Sequence, residues 1–412
     1  MSQHALIDEM KANESEFVEI RRTLHRHPEV GFEEIRTSQL IAGHLRSWGL
    51  DVVEGIAKTG IVATLRGKRG NGRSIGLRAD MDALWIEEVS GREHGSLVPG
   101  KMHACGHDGH TAMLLGAARH LVRRPDFAGT VNFIFQPAEE GLGGGRRMIE
   151  EGLFERFPVD AIYGMHNWPG IPAGEFRTRT GPFFAANDVW SVIFRGTGGH
   201  GGVGAHLGTD VTLAQAEFLL ALQTIVSRNI PATEAAVVSV GHIAAGAADA
   251  PNIIPSQATV TGTARSFSPD VRDTIEQRLG EIARAHALAF GCTAEIAYQR
   301  LSPALVTQAE QTARSLRVAE ALVGREKVGT EFPLVTASED FSFMLQARPG
   351  GYILIGNGMP HEGFANLHTP DYDFNDDILA LGSAYWVQLV HAELMPTSSE
   401  PAARHSPMHQ RI

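Results

Sequence analysis

Residues 101–111 read KMHACGHDGHT, and this stretch decides how the rest of the chain is interpreted. Within it are four side chains of the types that bind divalent transition metals. They are His103, Cys105, His107 and His110. The glycines among them allow the backbone to fold tightly around an ion. The stretch therefore predicts a metal site, which either stabilises the fold or takes part in chemistry.

The composition limits the classes of protein that come into question. A chain of 412 residues suggests two domains or one large one, and a net charge of −11 argues against a nucleic-acid partner. Cys105 and Cys292 are the two cysteines, too few for a disulfide framework. The polar N-terminus does not resemble a signal peptide, and no run of about 18 apolar residues would cross a membrane. We expect a cytoplasmic protein with a disordered tail over 396–412.

The first part of the chain alternates helical and strand patterns. Apolar residues recur at helical spacing over 6–26, 37–48 and 111–122. Short apolar runs predict strands, which are GIVATLRG (60–67), SIGLRADMDAL (74–84), VNFIFQPAEEG (131–141) and AIYGMHNWPG (161–170). This alternation favours an α/β sheet with ligands at the ends of its strands.

The pattern changes near residue 186. Strand and helix patterns follow in the order β-α-β-β-α-β, over 188–196, 209–229, 235–246, 258–267, 268–290 and 293–300. That order is typical of a ferredoxin-like unit. The α/β pattern resumes at about residue 303. We therefore predict a discontinuous larger domain, 1–184 and 303–395, interrupted by an inserted domain over 185–302.

Two adjacent glutamates, Glu139 and Glu140, follow a strongly apolar strand. Neighbouring side chains cannot point the same way from an extended backbone. One glutamate could therefore bind a metal while the other faces a substrate as general base. The alternative is a solvated pair in a loop, which is common for such residues.

Other polar residues also follow apolar strands or lie in loops. His166 ends a strand and His368 lies in a proline-containing loop, so both are plausible ligands, although a lone histidine is more often only hydrogen-bonded. Asp80 and Asp82 occupy alternate positions and would face one side of a strand. Ser338-Glu339-Asp340 offers a further acid. The glycine-rich stretch 196–202 lacks the residues of a phosphate loop and more plausibly gives His200 an exposed mount.

Taken together, these motifs resemble the aminoacylase/carboxypeptidase family of dinuclear metallopeptidases. The resemblance is strongest to its amidohydrolase branch, which contains hippurate hydrolase, N-acyl-amino-acid amidohydrolases and indole-acetyl-amino-acid hydrolases. The matching stretches span nearly the whole chain in the right order. They are LHRHPEVGFEE (24–34), LRADMDAL (77–84), HACGHDGHTAMLLGAA (103–118), FQPAEEG (135–141), MHNWP (165–169), GGHGG (198–202), NIIP (252–255), SEDF (338–341) and LHTPDYDFND (367–376).

The resemblance implies a mixed-sheet α/β catalytic domain with an inserted ferredoxin-like α+β lid domain that dimerises. It implies two divalent ions per subunit, with Zn²⁺ as the first expectation and Mn²⁺, Co²⁺ or Ni²⁺ as alternatives. The ligands carried over by motif are Cys105, His107, Glu140, His166 and His368. A homodimer is expected, with a tetramer as the alternative.

The resemblance also implies roles for residues around the metals. Glu139 matches the general base, and His200 matches a histidine that reaches a substrate carbonyl oxygen, in relatives from the partner subunit. Asn252 and Arg265 match positions near the substrate. His103 and His110 would either support the ligands or be structural. The acids that would orient ligands are Asp80, Asp82 and Asp108.

The implied activity is hydrolysis of N-acyl-L-amino acids to a carboxylic acid and an amino acid. A dipeptidase or carboxypeptidase with the same site is the alternative. A metal that only stabilises a loop is the third reading, but structural zinc sites usually use several cysteines. Relatives usually read GGHGAMPH where residues 198–206 read GGHGGVGAH, so the substrate preference is left open.

Overall fold

The computed structural model describes residues 3–395 of the chain. The tail predicted over 396–412 lies outside the described residues. Two main sheets with helices packed on them make up the structure. None of the described helices is both long and apolar enough to span a membrane.

The larger sheet has eight strands and mixes parallel with antiparallel pairs. In spatial order its strands are Asp51–Ile56, Gly60–Arg66, Thr130–Gln136, Ser74–Asp80, Ala161–Pro169, Gly350–Gly358, Phe176–Arg177 and Val328–Gly329. The third to sixth strands of this order are mutually parallel. Because parallel strands end at the same edge of a sheet, the loops that follow them meet there.

Helices cover both faces of the larger sheet. They are Gln3–Lys11, Glu14–Arg26, Ile35–Ser47, His107–Arg123, Gly144–Glu150, Leu153–Arg156, Ala309–Val323, Ser342–Ala347 and Leu379–Leu394. Phe133 and Phe135 lie in the apolar core on one face, and Ile134 between them lies in the core on the other. Successive strand residues alternate between faces, so a strand buried on both faces reads as one continuous apolar run.

The smaller sheet has four antiparallel strands, in the spatial order Ala236–Ala245, Gln257–Ser266, Ala186–Arg195 and Thr293–Ser302. Helices Val211–Leu222 and Pro269–Ala289 share an apolar core with it. The Asp210 and Ser268 side chains accept backbone N–H groups at the starts of these helices, as good N-caps do. The predicted ferredoxin-like arrangement is confirmed. The limits 185–302 stay a prediction.

Short elements connect the larger ones. Two-residue strands Gly199–His200 and Ile253–Ile254 pair with each other, as do Gly181–Phe184 and Leu305–Thr307. A π-helical turn at Ile225–Asn229 follows helix Val211–Leu222. The 3₁₀ turns are Ala205–Leu207, Arg325–Lys327, Pro360–Glu362 and Asp376–Ile378.

Three sequence-based expectations about helices were wrong in their bounds. The segment 6–26 forms two helices separated by Ala12 and Asn13, and the helix predicted over 209–229 ends at Leu222. The helix predicted from Thr111 begins at His107, inside the motif predicted to bind metal. Gly106 precedes it with a φ of 90°, a backbone conformation that glycine adopts without steric cost.

Candidate metal centre

A cavity of about 360 Å³ opens at the edge where the central parallel strands end. Glu139 and Glu140 follow strand Thr130–Gln136, and His166 lies near the end of strand Ala161–Pro169. The lining residues are Cys105, Glu139, Glu140, His166, Trp168, Pro169, Phe184, Ala337, Ser338, Glu339, Asn366, Leu367 and His368. Chain segments far apart in sequence thus meet around one cavity.

Four of the five ligands implied by the resemblance line this cavity, and the fifth, His107, lies beside Glu140. The Cys105 Sγ lies 3.3 Å from His368 Nε2 and 3.4 Å from His166 Nε2. The Glu140 Oε1 lies 3.2 Å from His368 Nε2 and 3.9 Å from His107 Nε2. Donor atoms that approach one another this closely form a cluster able to hold metal ions.

The chemistry of the cluster fits divalent transition metals. His107 Nε2 and Glu140 Oε1 are buried and have no hydrogen-bond partner among residues 3–395. Leaving buried polar atoms unpaired costs free energy, which coordination to a cation would remove. Burial and the carboxylates of Glu140 and Glu139 raise the pKa of the Cys105 thiol. A bound cation would reverse this effect by stabilising the thiolate.

His107 and Glu140 share one supporting carboxylate. The Asp82 Oδ1 lies 3.1 Å from His107 Nδ1, and Asp82 Oδ2 accepts the backbone N–H of Glu140 at 3.0 Å. Burial opposes a charge on His107, but Asp80 and Asp82 outweigh it and raise the His107 pKa to about 10. This excess of negative charge attracts a cation, whether a proton or a metal ion.

Asp80 supports the neighbouring histidine. Its Oδ1 lies 2.6 Å from His110 Nδ1, while His110 Nε2 accepts the backbone N–H of Asn167 at 2.9 Å. The ring of His110 stands edge-on to that of His166, with centroids 4.4 Å apart. His110 therefore links Asp80 to the strand segment that carries His166.

Glu139 lies half-buried beside the donor cluster. The backbone N–H of Asp340 donates to its Oε1 at 3.3 Å. Its enclosure, together with the carboxylates of Glu339 and Glu140, raises the Glu139 pKa well above the ordinary value for glutamate. A carboxyl group in such surroundings holds a proton more tightly than one in water.

Sequence reasoning missed Arg78, which is completely buried. Its guanidinium donates to Asp80 Oδ2 at 2.6 Å, to Glu339 Oε1 at 2.8 Å and to Gln136 Oε1 at 2.9 Å. Arg78 thus neutralises part of the acidic cluster and joins the SEDF segment to the strand before Asp80. The signal was an arginine within the otherwise apolar strand SIGLRAD.

The inserted-domain candidates do not line the cavity of this chain. His200 is exposed, and its Nδ1 accepts the backbone N–H groups of Gly202 and Val203, both at 3.0 Å. The carbonyl oxygen of Asn252 accepts the N–H of Gly201 at 2.7 Å, which places Asn252 beside His200. Arg265 is half-buried on strand Gln257–Ser266.

Asp108 belongs to a second buried cluster, apart from the predicted ligands. Its Oδ2 lies 2.8 Å from His25 Nδ1 and 3.6 Å from an Arg21 nitrogen. Burial opposes a charge on His25, but hydrogen bonds to Asp108 and Glu88 raise its pKa to about 9. His103 lies near this cluster, and burial lowers its pKa to about 4.

A mixed α/β sheet with cysteine, histidine and glutamate donors beside a further glutamate is the arrangement of a metallopeptidase. The chain belongs to Peptidase family M20/M25/M40, whose sequence model matches residues 76–392. It is therefore a hydrolase that acts on amide bonds. The family and fold class expected from the motifs are confirmed.

Similar proteins include hippurate hydrolase of Campylobacter jejuni, which is 38% identical over 93% of this chain and 98% of its own length. N-acetylcysteine deacetylase of Bacillus subtilis is 35% identical over 92% of this chain and 97% of its own length. Thermostable carboxypeptidase 2 of Saccharolobus solfataricus is 36% identical over 94% of this chain and 97% of its own length. The crystal structure of Bacillus subtilis YXEP protein, a dinuclear metal-binding peptidase of the M20 family, matches with a TM-score of 0.80. It is 31% identical and covers 92% of this chain and 98% of that one.

Proposed function

We propose that this protein hydrolyses the amide bond of N-acyl-L-amino acids, releasing a carboxylic acid and an amino acid. The observation that carries the proposal is that Glu139 lines the same cavity as the donor cluster of Cys105, Glu140 and His368. A carboxylate beside a metal-binding cluster is the pairing that metal-assisted hydrolysis needs. Relatives named for hydrolysis of acylated amino acids support it.

Two divalent ions are the proposed cofactor. Cys105, His107, Glu140, His166 and His368 would hold them, with Zn²⁺ as the first expectation and Mn²⁺, Co²⁺ or Ni²⁺ as alternatives. When bound, such ions polarise the amide carbonyl and lower the pKa of water. The dinuclear metal-binding neighbour supports the number of ions.

Glu139 is the proposed general base. It would take a proton from the attacking water and later give that proton to the nitrogen of the leaving amine. The N–H of Asp340 anchors its Oε1, which limits the orientations that the carboxyl group adopts. Breaking the C–N bond then releases a neutral amine rather than an amide anion.

One wall of the cavity suits an acyl group. Trp168, Phe184 and Leu367 add apolar surface to the lining of the cavity, and the rings of Trp168 and Phe184 meet edge-to-face with centroids 5.8 Å apart. Apolar surface favours an uncharged acyl group by its removal from water. A dipeptidase or carboxypeptidase is the second candidate, supported by the similarity to a thermostable carboxypeptidase.

The inserted domain is proposed to complete the site from a partner subunit in a homodimer, with a tetramer as the alternative. Because His200 Nδ1 accepts two backbone N–H groups, the neutral ring carries its proton on Nε2. That nitrogen can donate to the carbonyl oxygen of a substrate. Asn252 and Arg265 are proposed to lie near the substrate in the same assembly. A cytoplasmic location stays a prediction.

Of the acids proposed to orient ligands, Asp82 and Asp80 keep that role. Asp82 holds His107, and Asp80 holds His110 against His166. Asp108 is assigned differently, because its contacts are with His25 and Arg21. It anchors the start of helix His107–Arg123 to helix Glu14–Arg26.

The test is a substrate panel assayed on protein of measured metal content. It compares N-acetyl, N-benzoyl and long-chain N-acyl amino acids with dipeptides. We expect two ions per chain and the highest kcat/KM for an N-acyl amino acid. Faster cleavage of dipeptides would favour the second candidate, and metal-loaded protein that cleaves neither class would refute the proposal.

A further inference from the structure

The motif LHRHPEVGFEE (24–34) ends on a glutamate that the proposed mechanism does not use. The Glu34 side chain is fully buried beneath the turn that leads into Glu139 and Glu140. Its Oε1 accepts the backbone N–H of Ala138 at 2.8 Å, and its Oε2 accepts the hydroxyl of Thr59 at 2.7 Å. Both carboxyl oxygens are therefore committed to fixed partners.

The backbone that Glu34 holds has an unusual conformation. Ala138 has a φ of 54°, in the left-handed region that residues with a Cβ rarely adopt. Such a residue persists only where its surroundings hold it. The N–H of Ala138 donates to Glu34, and the carbonyl oxygen of Ala138 accepts the N–H of Gly144 at 2.9 Å. The left-handed residue turns the chain between the strand end and the two glutamates.

The segment before Glu34 packs closely against the same turn. A Cβ at Gly31 would lie 2.9 Å from the Ala138 Cα, closer than such atoms approach. Val30 bridges to Ala83, and the Glu29 carbonyl oxygen accepts the N–H of Ala83 at 2.8 Å. The N-terminal segment therefore contacts both the Glu139 turn and the segment that carries Asp82.

The turn is held at two successive points. The N–H of Ala138 is bound by Glu34, and the N–H of Glu140 is bound by Asp82 at 3.0 Å. The peptide group before Ala138 and the peptide group after Glu139 are thereby fixed. Because a side chain's direction follows from its backbone, these two bonds decide where the carboxyl groups of Glu139 and Glu140 point.

We propose that Glu34 is a positioning residue for the hydrolytic centre. Its Oε1 holds the Ala138 peptide in the left-handed turn that directs Glu139 and Glu140 into the cavity. The inference rests on the proposed function for its effect on turnover. It also predicts an effect on metal binding, which is measurable whatever the substrate.

Three substitutions of Glu34 distinguish the effect of side-chain length from the effect of side-chain charge. Glu34→Gln keeps an acceptor oxygen for Ala138 and offers its amide as a donor to the Thr59 hydroxyl. Glu34→Asp keeps the carboxylate but withdraws it by one methylene, and Glu34→Ala removes it. Burial raises the pKa of Glu34 to about 7, so glutamine closely resembles its protonated form.

We expect kcat to fall roughly tenfold to 100-fold in Glu34→Ala and Glu34→Asp, since a displacement of about 1 Å costs that much. KM should change less than about threefold, because these substitutions do not remove a contact with the substrate. Glu34→Gln should keep kcat within about threefold of the wild type. The matched control Thr59→Val removes the other partner of Glu34 and leaves the bond to Ala138.

Metal affinity provides a readout that does not depend on turnover. Titration with Zn²⁺ against a competing chelator should show affinity lowered about tenfold to 100-fold in Glu34→Ala and Glu34→Asp, but not in Glu34→Gln. Circular dichroism and thermal unfolding establish which variants fold. If Glu34→Ala does not fold, the contrast between Glu34→Asp and Glu34→Gln decides.

The outcomes separate this inference from the proposed function. Loss of kcat and metal affinity in Glu34→Asp, restored in Glu34→Gln, supports the positioning role. Equal behaviour of these two variants, or better function with aspartate than with glutamine, overturns it. If the wild type cleaves no N-acyl amino acid, the proposed function fails, and the titration still tests Glu34.

Discussion

The Oδ1 of Asp82 lies 3.1 Å from the Nδ1 of His107, while the other ring nitrogen, Nε2, lies 3.9 Å from Glu140 Oε1. Histidine ligands commonly use one nitrogen for the metal and the other for a supporting carboxylate, which fixes the ring and its tautomer. Asp82 also accepts the N–H of Glu140, so it supports two proposed ligands at once.

Removing this support should weaken metal binding. In Asp82→Asn the single acceptor oxygen cannot serve both His107 and Glu140, and we expect metal affinity to fall about tenfold to 100-fold. Chelator competition measures the change. Asp126→Asn, at an exposed position, is the matched control. Unchanged affinity in Asp82→Asn would remove Asp82 from this role.

Glu139→Gln should separate metal binding from turnover. Glutamine keeps the size of the side chain but cannot accept a proton from water, so kcat should fall by about 10² to 10⁴. Metal analysis should still find two ions per chain. Glu150→Gln, at an exposed helix position, is the control. Near-normal turnover in Glu139→Gln would assign the general base elsewhere.

Cys105→Ala should reduce metal content. The thiolate is the only donor in the cluster that is both soft and anionic, and its loss leaves His368 and His166 without their shared neighbour. We expect fewer than two ions per chain and a fall in kcat of at least about 100-fold. Cys292→Ala, in the core of the smaller sheet, is the control. Full occupancy in Cys105→Ala would contradict ligation by the thiolate.

The cluster of His25, Asp108 and Glu88 should make stability depend on pH. The folded-state pKa of His25 is raised to about 9. Its contribution is therefore complete below the unfolded value of about 6.5 and is lost as the pH rises through about 9. The loss amounts to about 3 kcal/mol. Denaturant unfolding at pH 6 and pH 10 should show a larger drop for the wild type than for His25→Gln, and equal drops would argue against the charged pair.

Local pattern was enough to predict the four strands of the smaller sheet, their ferredoxin-like order, and four of the eight strands of the larger sheet. Thr130–Gln136 and Ala161–Pro169 are buried on both faces, so their sequences are continuously apolar and stand out. Strand Asp51–Ile56 was missed because it is largely exposed at the sheet edge and contains Gly55. Edge strands carry a weaker apolar signal.

Part of the candidate site was also predicted, but mostly from family resemblance and not from local pattern. Period-two spacing predicted that Asp80 and Asp82 face one side, and both lie beside His107, whereas the ligand set came from family resemblance. Asp108 contacts His25 and Arg21 because the helix begins at His107, so Asp108 points about 100° away around the axis while His110 returns to the same side. Glu34 and Ala138 are 104 residues apart, a contact that no local pattern reveals.

Cys105 and His368 are separated by 263 residues, yet their donor atoms lie 3.3 Å apart. Ribosomes build a chain from its N-terminus, and domains fold as they emerge. The nascent chain therefore lacks one donor of this cluster until after every strand of the smaller sheet has been made. The complete donor cluster therefore assembles late in biogenesis, and a chain that stops before residue 368 would leave the Cys105 thiol with His166 but without His368.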